Sequence, residues 1–171
     1  MKVFFLVLVV FFVSVLKAQV QTFFSDQKQG KEFFLEQVRK EAKAIRIASY
    51  RLSDRALFKE LLKARQRGVD VEVFVDASSV HRTSPLLSLV KEGIFVWVWK
   101  GEKEHLRESF CLFGENPVWI GMDLFSLKSS WTHRSASLMI EDVEVGKKFS
   151  EEWGRLKKGK FIAISSYFDE L

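Results

Sequence analysis

The chain has 171 residues, a formal charge of +5 and an apolar fraction of 47%, and aromatic residues make up 14% of it. A chain of this length is the usual size of one domain, and this many apolar side chains are enough to fill a hydrophobic core. Lysine and arginine alternate with glutamate along the sequence and form no dense basic stripe, as is typical of solvated helix faces. The charge therefore argues against a strong nucleic-acid binder, and the composition predicts one globular domain.

The N-terminus has the pattern of a secretory signal peptide. Lys2 precedes an unbroken apolar run at 3–13, and a small residue, Ala18, follows at the expected cleavage site. The run is shorter than the roughly 20 apolar residues that a membrane-spanning helix needs. We therefore expect residues 1–18 to be removed and the protein to be exported, periplasmic or secreted, without a stable transmembrane domain. Because Leu16 stands where a smaller residue is preferred, an uncleaved N-terminal anchor is the alternative.

The first half of the chain after this leader repeats a strand followed by a helix. Apolar residues alternate in the predicted strands and recur every three or four residues in the predicted helices. Capping and stop residues set the ends of the later helices. The predicted elements are, in chain order, a strand at 19–24, a helix at 30–44, a strand at 44–50, a helix from Ser53 to Gly68, a strand at 69–76 and a short helix from Pro85 to Gly93.

The pattern changes in the second half, where turns and not helices separate the apolar runs at 94–99, 106–113 and 118–122. Such spacing predicts a meander of strands. A strand at 135–142 and a helix at 143–157 follow, so we expect an α/β sandwich, a mixed sheet flanked by helices. The tail at 159–171 is apolar and is expected to pack on the domain or on a partner.

Three features have ordinary structural interpretations. Cys111 is the single cysteine, so it forms no intramolecular disulfide and is expected to be a buried, inert thiol, with a role as nucleophile as the alternative. The alternating aromatic residues Phe95, Trp97 and Trp99 are expected to lie in the core or in a dimer seam, with a stacking surface for bases or acyl chains as the alternative. The three histidines are too scattered to predict a metal site.

A long stretch of the sequence resembles a known superfamily. RIASYRLSDRALFKELLKARQRGVDVEVFVDASS is followed by a short helix, a Gly-Ile-x-Val strand and a strand that carries His105. This pattern resembles the phospholipase D superfamily, and most closely its small, single-motif bacterial endonucleases of the Nuc type. The resemblance covers essentially the whole chain after the leader, including the helix EEWGRLKK, and implies the α-β-α sandwich of that superfamily over residues 19–158.

The resemblance also implies a chemistry. In the family, a phosphodiesterase that uses no metal or other cofactor cleaves nucleic acid or phospholipid. One histidine attacks phosphorus, a second histidine from the partner half protonates the leaving oxygen, and lysine and asparagine hold the phosphate. Members with a single motif dimerise, so a homodimer is expected here.

His105 and Arg107 match the family's His-x-Lys motif, with His105 as the catalytic residue and Arg107 as a phosphate-binding residue. Residues two apart on a strand share a face, so both side chains would project into one site. Arginine keeps the charge of the family's lysine, but its planar fork differs from a compact ammonium group.

Other motif positions depart from the family. The aspartate position holds a leucine, the Gly-Ser pair becomes Gly-Met, the asparagine position holds a leucine, and the acidic residue that holds the histidine becomes a serine: Leu112, Gly121-Met122, Leu124 and Ser135. Each lost phosphate donor costs on the order of 10²-fold in rate. The hairpin before Gly121 is also two residues longer than in the family, and Glu115 or Asp123 is a candidate replacement carboxylate.

Residues near the last strand offer further candidates. His133 and Arg134 are positioned in the sequence to supply a replacement base and a phosphate clamp, with Gly121 and Ser135 as auxiliary residues. The polar loop Ser78–Ser84 is a candidate substrate rim. Two hypotheses remain: a phosphodiesterase of weakened or lost activity, and a non-catalytic descendant that binds a phosphate-bearing ligand, a membrane surface or a protein. Whether the chain is an enzyme stays open at the level of the sequence.

Overall fold

The computed structural model describes residues 18–24, 28–101, 105–121, 135–159 and 161–169. Its strands and helices alternate in the first half and cluster in the second, as the patterning predicts. In chain order they are β1 (Gln19–Phe24), α1 (Lys28–Lys40), β2 (Ala44–Ser49), α2 (Arg55–Gln66), β3 (Asp70–Asp76), α3 (Leu86–Lys91), β4 (Phe95–Trp99), β5 (Phe110–Phe113), β6 (Val118–Ile120), β7 (Ala136–Glu141), α4 (Val143–Lys157), β8 (Phe161–Ala163) and α5 (Ile164–Asp169).

The described strands form one mixed sheet in the order β1-β7-β6-β5-β2-β3-β4-β8. β2, β3 and β4 are parallel neighbours, and the other pairs are antiparallel. The prediction that 94–99 begins a meander is wrong. The helix α3 lies between β3 and β4, and a strand that returns after a helical crossover lies parallel to its neighbour. The antiparallel meander starts only with β5, on the other side of β2.

Helices cover both faces of the sheet. The larger hydrophobic cluster joins one face to α1, α2, α3 and α5, with Phe34, Leu57 and Leu89 among its buried residues. The smaller cluster lies under α4, where Trp153 and Leu156 pack on the opposite face. Neighbouring strand residues alternate between the two clusters, as the pleat requires. The predicted α-β-α sandwich, a mixed sheet flanked by helices, is therefore confirmed.

Two predicted helix boundaries are wrong for local reasons. The cap of α2 is Asp54 and not Ser53, because the Asp54 carboxylate accepts a hydrogen bond from the Leu57 amide at 2.9 Å. The first helix ends at Lys40, before the predicted end at residue 44. The Glu41 carboxylate accepts hydrogen bonds from the amides of Ala42 and Lys43 at 2.9 and 2.6 Å, which replaces the next helical turn.

The chain after α4 adds an edge strand. β8 pairs antiparallel with β4, with Phe161 opposite Trp99 and Ala163 opposite Trp97. Ile164, at the start of α5, is 1% exposed in the larger cluster. None of the described helices is both long and apolar enough to cross a bilayer. The proposed leader falls almost wholly outside the described residues, so the export of the protein stays a prediction.

Candidate functional site

The site is built at one edge of the sheet, where strand ends converge. The parallel strands β2 and β3 both end at this edge, where Asp76 is the last residue of β3. β5 runs antiparallel to β2, so its entrance lies there too, with Phe110 opposite Ala48. β6 ends and β7 begins at the same edge. Side chains that are far apart in sequence are thereby brought to one place, as at the carboxyl ends of other parallel sheets.

His105 lies against a buried carboxylate at this edge. Its Nδ1 atom is 3.3 Å from Oδ1 of Asp76. The His105 side chain is 52% exposed, whereas that of Asp76 is 3% exposed. The ring of Tyr50 meets the imidazole edge-on, with 5.9 Å between the ring centroids. One side of the imidazole is thus held by the protein, and the rest of the ring is open to solvent.

Asp76 is held from several directions. Its Oδ2 accepts the Leu106 amide at 2.7 Å, and its Oδ1 accepts the amide and the hydroxyl of Ser78 at 2.9 and 2.5 Å. Tyr50 Oη lies 2.9 Å from the same Ser78 hydroxyl. Burial raises the pKa of Asp76, but the hydrogen bonds from Ser78, Leu106 and His105 outweigh burial and hold the pKa below its ordinary value. Asp76 is therefore an ionised, fixed acceptor.

The sequence interpretation missed Asp76. The sequence does contain a pattern that could have identified it: an aspartate at the carboxyl end of a predicted parallel strand lies where α/β proteins place functional groups. The neighbouring loop from Ser78 to Ser84, predicted to be a substrate rim, enters the site through Ser78. The sequence offers Glu115 or Asp123 as replacement carboxylates, whereas the carboxylate that contacts His105 in the structure is that of Asp76.

His105 and Arg107 project to solvent together, although they do not lie on a strand. Both are exposed, and Leu106 between them is 5% exposed and packs in the smaller cluster. The predicted strand 106–113 begins only at Phe110. The Leu106 amide bonds to the Asp76 carboxylate and not to a neighbouring strand, which accounts for the late start. His105 and Arg107 are thus both exposed, on either side of the buried Leu106, but not as strand neighbours.

Gly121 and Ser135 mark the ends of β6 and β7 at the same edge. The Gly121 amide donates to the Ser109 carbonyl at 3.1 Å, which ties the end of β6 to the approach to β5. The Ser135 hydroxyl is buried just before β7 begins. The candidates His133 and Arg134 lie outside the described residues, as do Met122, Asp123 and Leu124.

Two alternatives from the sequence are excluded by position. Gly114 donates its amide to the carbonyl of Ala44, the first residue of β2, so Glu115 lies at the opposite edge of the sheet and cannot replace a site carboxylate. Cys111 is 0% exposed, and burial raises the pKa of its thiol well above the ordinary value, with Glu41 adding to the rise. A buried thiol held neutral is no nucleophile.

Leu112, which the resemblance aligns with an aspartate, is a core residue. It is 0% exposed and packs in the smaller cluster under α4. The aromatic residues Trp97 and Trp99 also pack against this cluster, whereas Phe95 is 60% exposed. Within the described ranges, no three His, Cys, Asp or Glu side chains come together as a group that could hold a metal ion.

Several solved structures have a fold similar to that of this chain. The chain is similar to Nuc of Salmonella typhimurium, a phospholipase D family member, at 16% identity and a TM-score of 0.74, over 86% of this chain and 98% of that one. NucT from Helicobacter pylori aligns at 16% identity and a TM-score of 0.78, over 86% and 99% of the two chains. Phosphatidylserine synthase of Haemophilus influenzae aligns at 11% and 0.67, over 85% of this chain and 40% of that chain.

No protein-family model matches the sequence, and no curated protein matches it. The structural similarity is nevertheless extensive, and the fold is that of the phospholipase D superfamily. The architecture of the chain is similar to that of Nuc and NucT. The alignment takes in nearly all of Nuc and NucT but only a part of phosphatidylserine synthase.

Proposed function

We propose that the protein is a phosphodiesterase of weakened activity that works through a histidine nucleophile without a metal, on nucleic acid or phospholipid. The observation that carries this proposal is the exposed His105 imidazole, two residues from the exposed Arg107 guanidinium, at the edge where the strand ends converge. A guanidinium offers paired donors to phosphate oxygens. A nucleophile and an anion clamp therefore open onto the same surface of a phospholipase D fold.

The chemistry assigned to the site has two steps. The Nε2 lone pair of His105 forms a bond to phosphorus as the bond from phosphorus to the leaving oxygen breaks, and a general acid protonates that oxygen. Water then attacks phosphorus and gives its proton to the same general acid, which the first step left deprotonated, while the bond from phosphorus to nitrogen breaks and the His105 imidazole is regenerated. Arg107 neutralises the phosphate oxygens throughout. The general acid in this proposal is His105 of a second copy, so the active form is a homodimer.

The weakening follows from the residues around the histidine. Leu112 stands where the resemblance implies an aspartate, so this position supplies no carboxylate, and the side chain is buried in the core under α4. Ser135 supplies a hydroxyl where the resemblance implies an acidic side chain, and Leu124 stands where it implies an asparagine. Fewer preorganised donors toward the phosphate lower the rate, on the order of 10²-fold for each donor lost.

The test is hydrolysis of bis(p-nitrophenyl) phosphate and of single-stranded DNA by the purified full chain in excess chelator. We expect slow, chelator-resistant hydrolysis that His105→Asn reduces to the background rate. Asn keeps a polar side chain of similar reach but is no nucleophile. A control is Gln66→Asn, an exposed residue at the end of α2 and away from this edge of the sheet, which should leave the rate unchanged. Equal rates for the wild type and His105→Asn would refute the enzymatic proposal.

The dimer has its own test. Sedimentation velocity should give a mass near twice that of the 19.9 kDa chain or of its processed form. Mixing wild type with an excess of His105→Asn should lower the activity per wild-type chain, because a mixed dimer keeps only one of the two histidines of the shared site. A monomer at every concentration at which hydrolysis is seen would exclude a shared two-histidine site.

A second candidate function is binding without turnover, and the burial of Leu112 in the core favours it. The chain is also similar to TrmBL2, an archaeal chromatin protein with a novel mode of DNA binding, at 16% identity and a TM-score of 0.60, over 83% of this chain and 55% of that chain. If the protein binds phosphate groups without turnover, tungstate, a phosphate analogue, should bind wild type and His105→Asn alike. Arg107→Glu should abolish binding, and the exposed Lys147→Glu on α4 should not.

Export of the protein is part of the proposal and depends on the N-terminal residues alone. Fractionation of cells that express the full chain should place it outside the cytoplasm. Mass spectrometry of that fraction should give an N-terminus near Gln19. An intact N-terminus in a membrane fraction would support the anchored alternative.

A further inference from the structure

We infer that Asp76 is the positioning residue of His105: its carboxylate fixes the imidazole in the tautomer with the proton on Nδ1, and so leaves Nε2 free to attack. The orienting carboxylate in this chain then comes from the end of β3 and not from the last strand of the domain. The consequence for turnover rests on the proposed function, but the assignment of the tautomer stands on the contact itself.

The geometry determines which ring nitrogen carries the proton. His105 Nδ1 faces Asp76 Oδ1 at 3.3 Å. An ionised carboxylate accepts hydrogen bonds and donates none. A neutral imidazole in this position is therefore stabilised with its proton on Nδ1, and the Nε2 lone pair points away from Asp76. Since the side chain is 52% exposed, that lone pair has room for a substrate.

Asp76 is suited to this role because it is itself immobile. It ends a strand that is paired with β2 on one side and β4 on the other. The Ser78 amide and hydroxyl fix Oδ1, and the Leu106 amide fixes Oδ2. The contact with Leu106 also holds the backbone next to His105. One carboxylate therefore fixes both the position of the imidazole ring and the main chain that carries it. A positioning residue of this kind acts through the group that it holds.

The same contact bears on the chemical step. When Nε2 forms its bond to phosphorus, the imidazole ring becomes cationic and keeps its proton on Nδ1. The Asp76 carboxylate then faces a positive charge, which it stabilises more strongly than the neutral ring. When water displaces the histidine from phosphorus, the ring returns to its neutral form. Ser135 at the family's acidic position therefore does not leave the histidine without an anionic partner.

The experiment is long-range nitrogen-proton NMR of the full chain labelled with ¹⁵N-histidine, at about pH 8, where a histidine of ordinary pKa is neutral. His105→Asn identifies the His105 signals among those of the three histidines. In the wild type we expect the chemical shifts of a protonated Nδ1 and an unprotonated Nε2. A wild-type His105 with its proton on Nε2 would overturn the inference, and this outcome requires no variant to fold.

The decisive variant is Asp76→Asn, which keeps the shape but offers an amide donor to Nδ1. It should move the proton to Nε2 and lower any hydrolysis by roughly 10²-fold or more. Tyr50→Phe, which removes the hydroxyl beside Ser78, should change neither the tautomer nor the rate as strongly. An unchanged tautomer in folded Asp76→Asn would contradict the inference. The expected tautomer switch without hydrolysis in any variant would instead retain Asp76 as positioning residue and reject the proposed enzyme.

Discussion

The Ser137 side chain occupies the space that a side chain at Gly121 would need. A Cβ atom on Gly121 would lie 2.2 Å from Ser137 Oγ and 2.9 Å from Ser137 Cα. Gly121 also has φ +144°, a backbone conformation that side chains strongly disfavour. The glycine at the end of β6 is therefore required by the close approach of β7, on which Ser137 is 4% exposed.

Gly121→Ala should accordingly lower the free energy of unfolding by roughly 2–4 kcal/mol, from backbone strain and overpacking together. Gly68→Ala is the matched control, because Gly68 has φ +91° but no heavy atom within 4 Å of the added Cβ. It should cost only the strain, about 1–2 kcal/mol. Urea unfolding of both variants measures the difference. Equal losses would show that β7 does not press on Gly121.

Leu112→Asp would introduce the residue that the resemblance to Nuc-type proteins implies at this position, and we expect it to destabilise the fold. Leu112 is 0% exposed among apolar side chains under α4, so an uncompensated carboxylate there costs about 3–5 kcal/mol. Leu112→Met, which nearly conserves volume, should cost less than about 1.5 kcal/mol. The midpoints of chemical unfolding compare the two. A stable Leu112→Asp with faster hydrolysis would mean that the position faces the site.

The Asp76 carboxylate should make the stability of the protein depend on pH. Its pKa in the folded state is below its ordinary value, so its stabilisation is complete above the ordinary pKa of about 3.9 and is lost as the pH falls through the folded value. The difference in unfolding free energy between wild type and Asp76→Asn should be constant near neutrality and shrink below about pH 4. Asp169→Asn, an exposed carboxylate on α5, should show little difference at any pH. If the difference in unfolding free energy between wild type and Asp76→Asn stayed constant down to acid pH, the lowered pKa of Asp76 would be contradicted.

Cys111 should resist thiol reagents while the protein is folded. The thiol is 0% exposed and its pKa is raised by burial, so both access and thiolate are lacking. Ellman's reagent at neutral pH should therefore react only as fast as the chain unfolds, and at once in denaturant. Rapid stoichiometric reaction of the folded protein would revive Cys111 as a candidate nucleophile.

Local pattern accounts for much of the fold. The closing helix was predicted at 143–157 and is observed with those bounds, because its apolar residues recur with helical period and Asp142 caps its start. The strands at 44–50 and 69–76 were also predicted to within a residue or so, since β-branched residues and turn residues bound them. These features depend on neighbours in sequence, which the sequence displays directly.

Strand order and the site could not be predicted in the same way. The run at 94–99 has the same apolar pattern whether it starts a meander or extends a parallel sheet, and only packing on β3 decides between them. The contact between Asp76 and His105 joins residues 29 positions apart that belong to different elements.

The sequence by itself determined the class of fold, the helices and strands with their core faces, and His105 with Arg107 as the candidate site. The tertiary structure decided that Leu112 and Cys111 are core, that Glu115 lies at the wrong edge, and that Asp76 holds His105. The physical reason is that periodicity and capping are short-range properties of the chain. Which side chains meet at a sheet edge depends on strand order and register, which the packing of the whole domain selects.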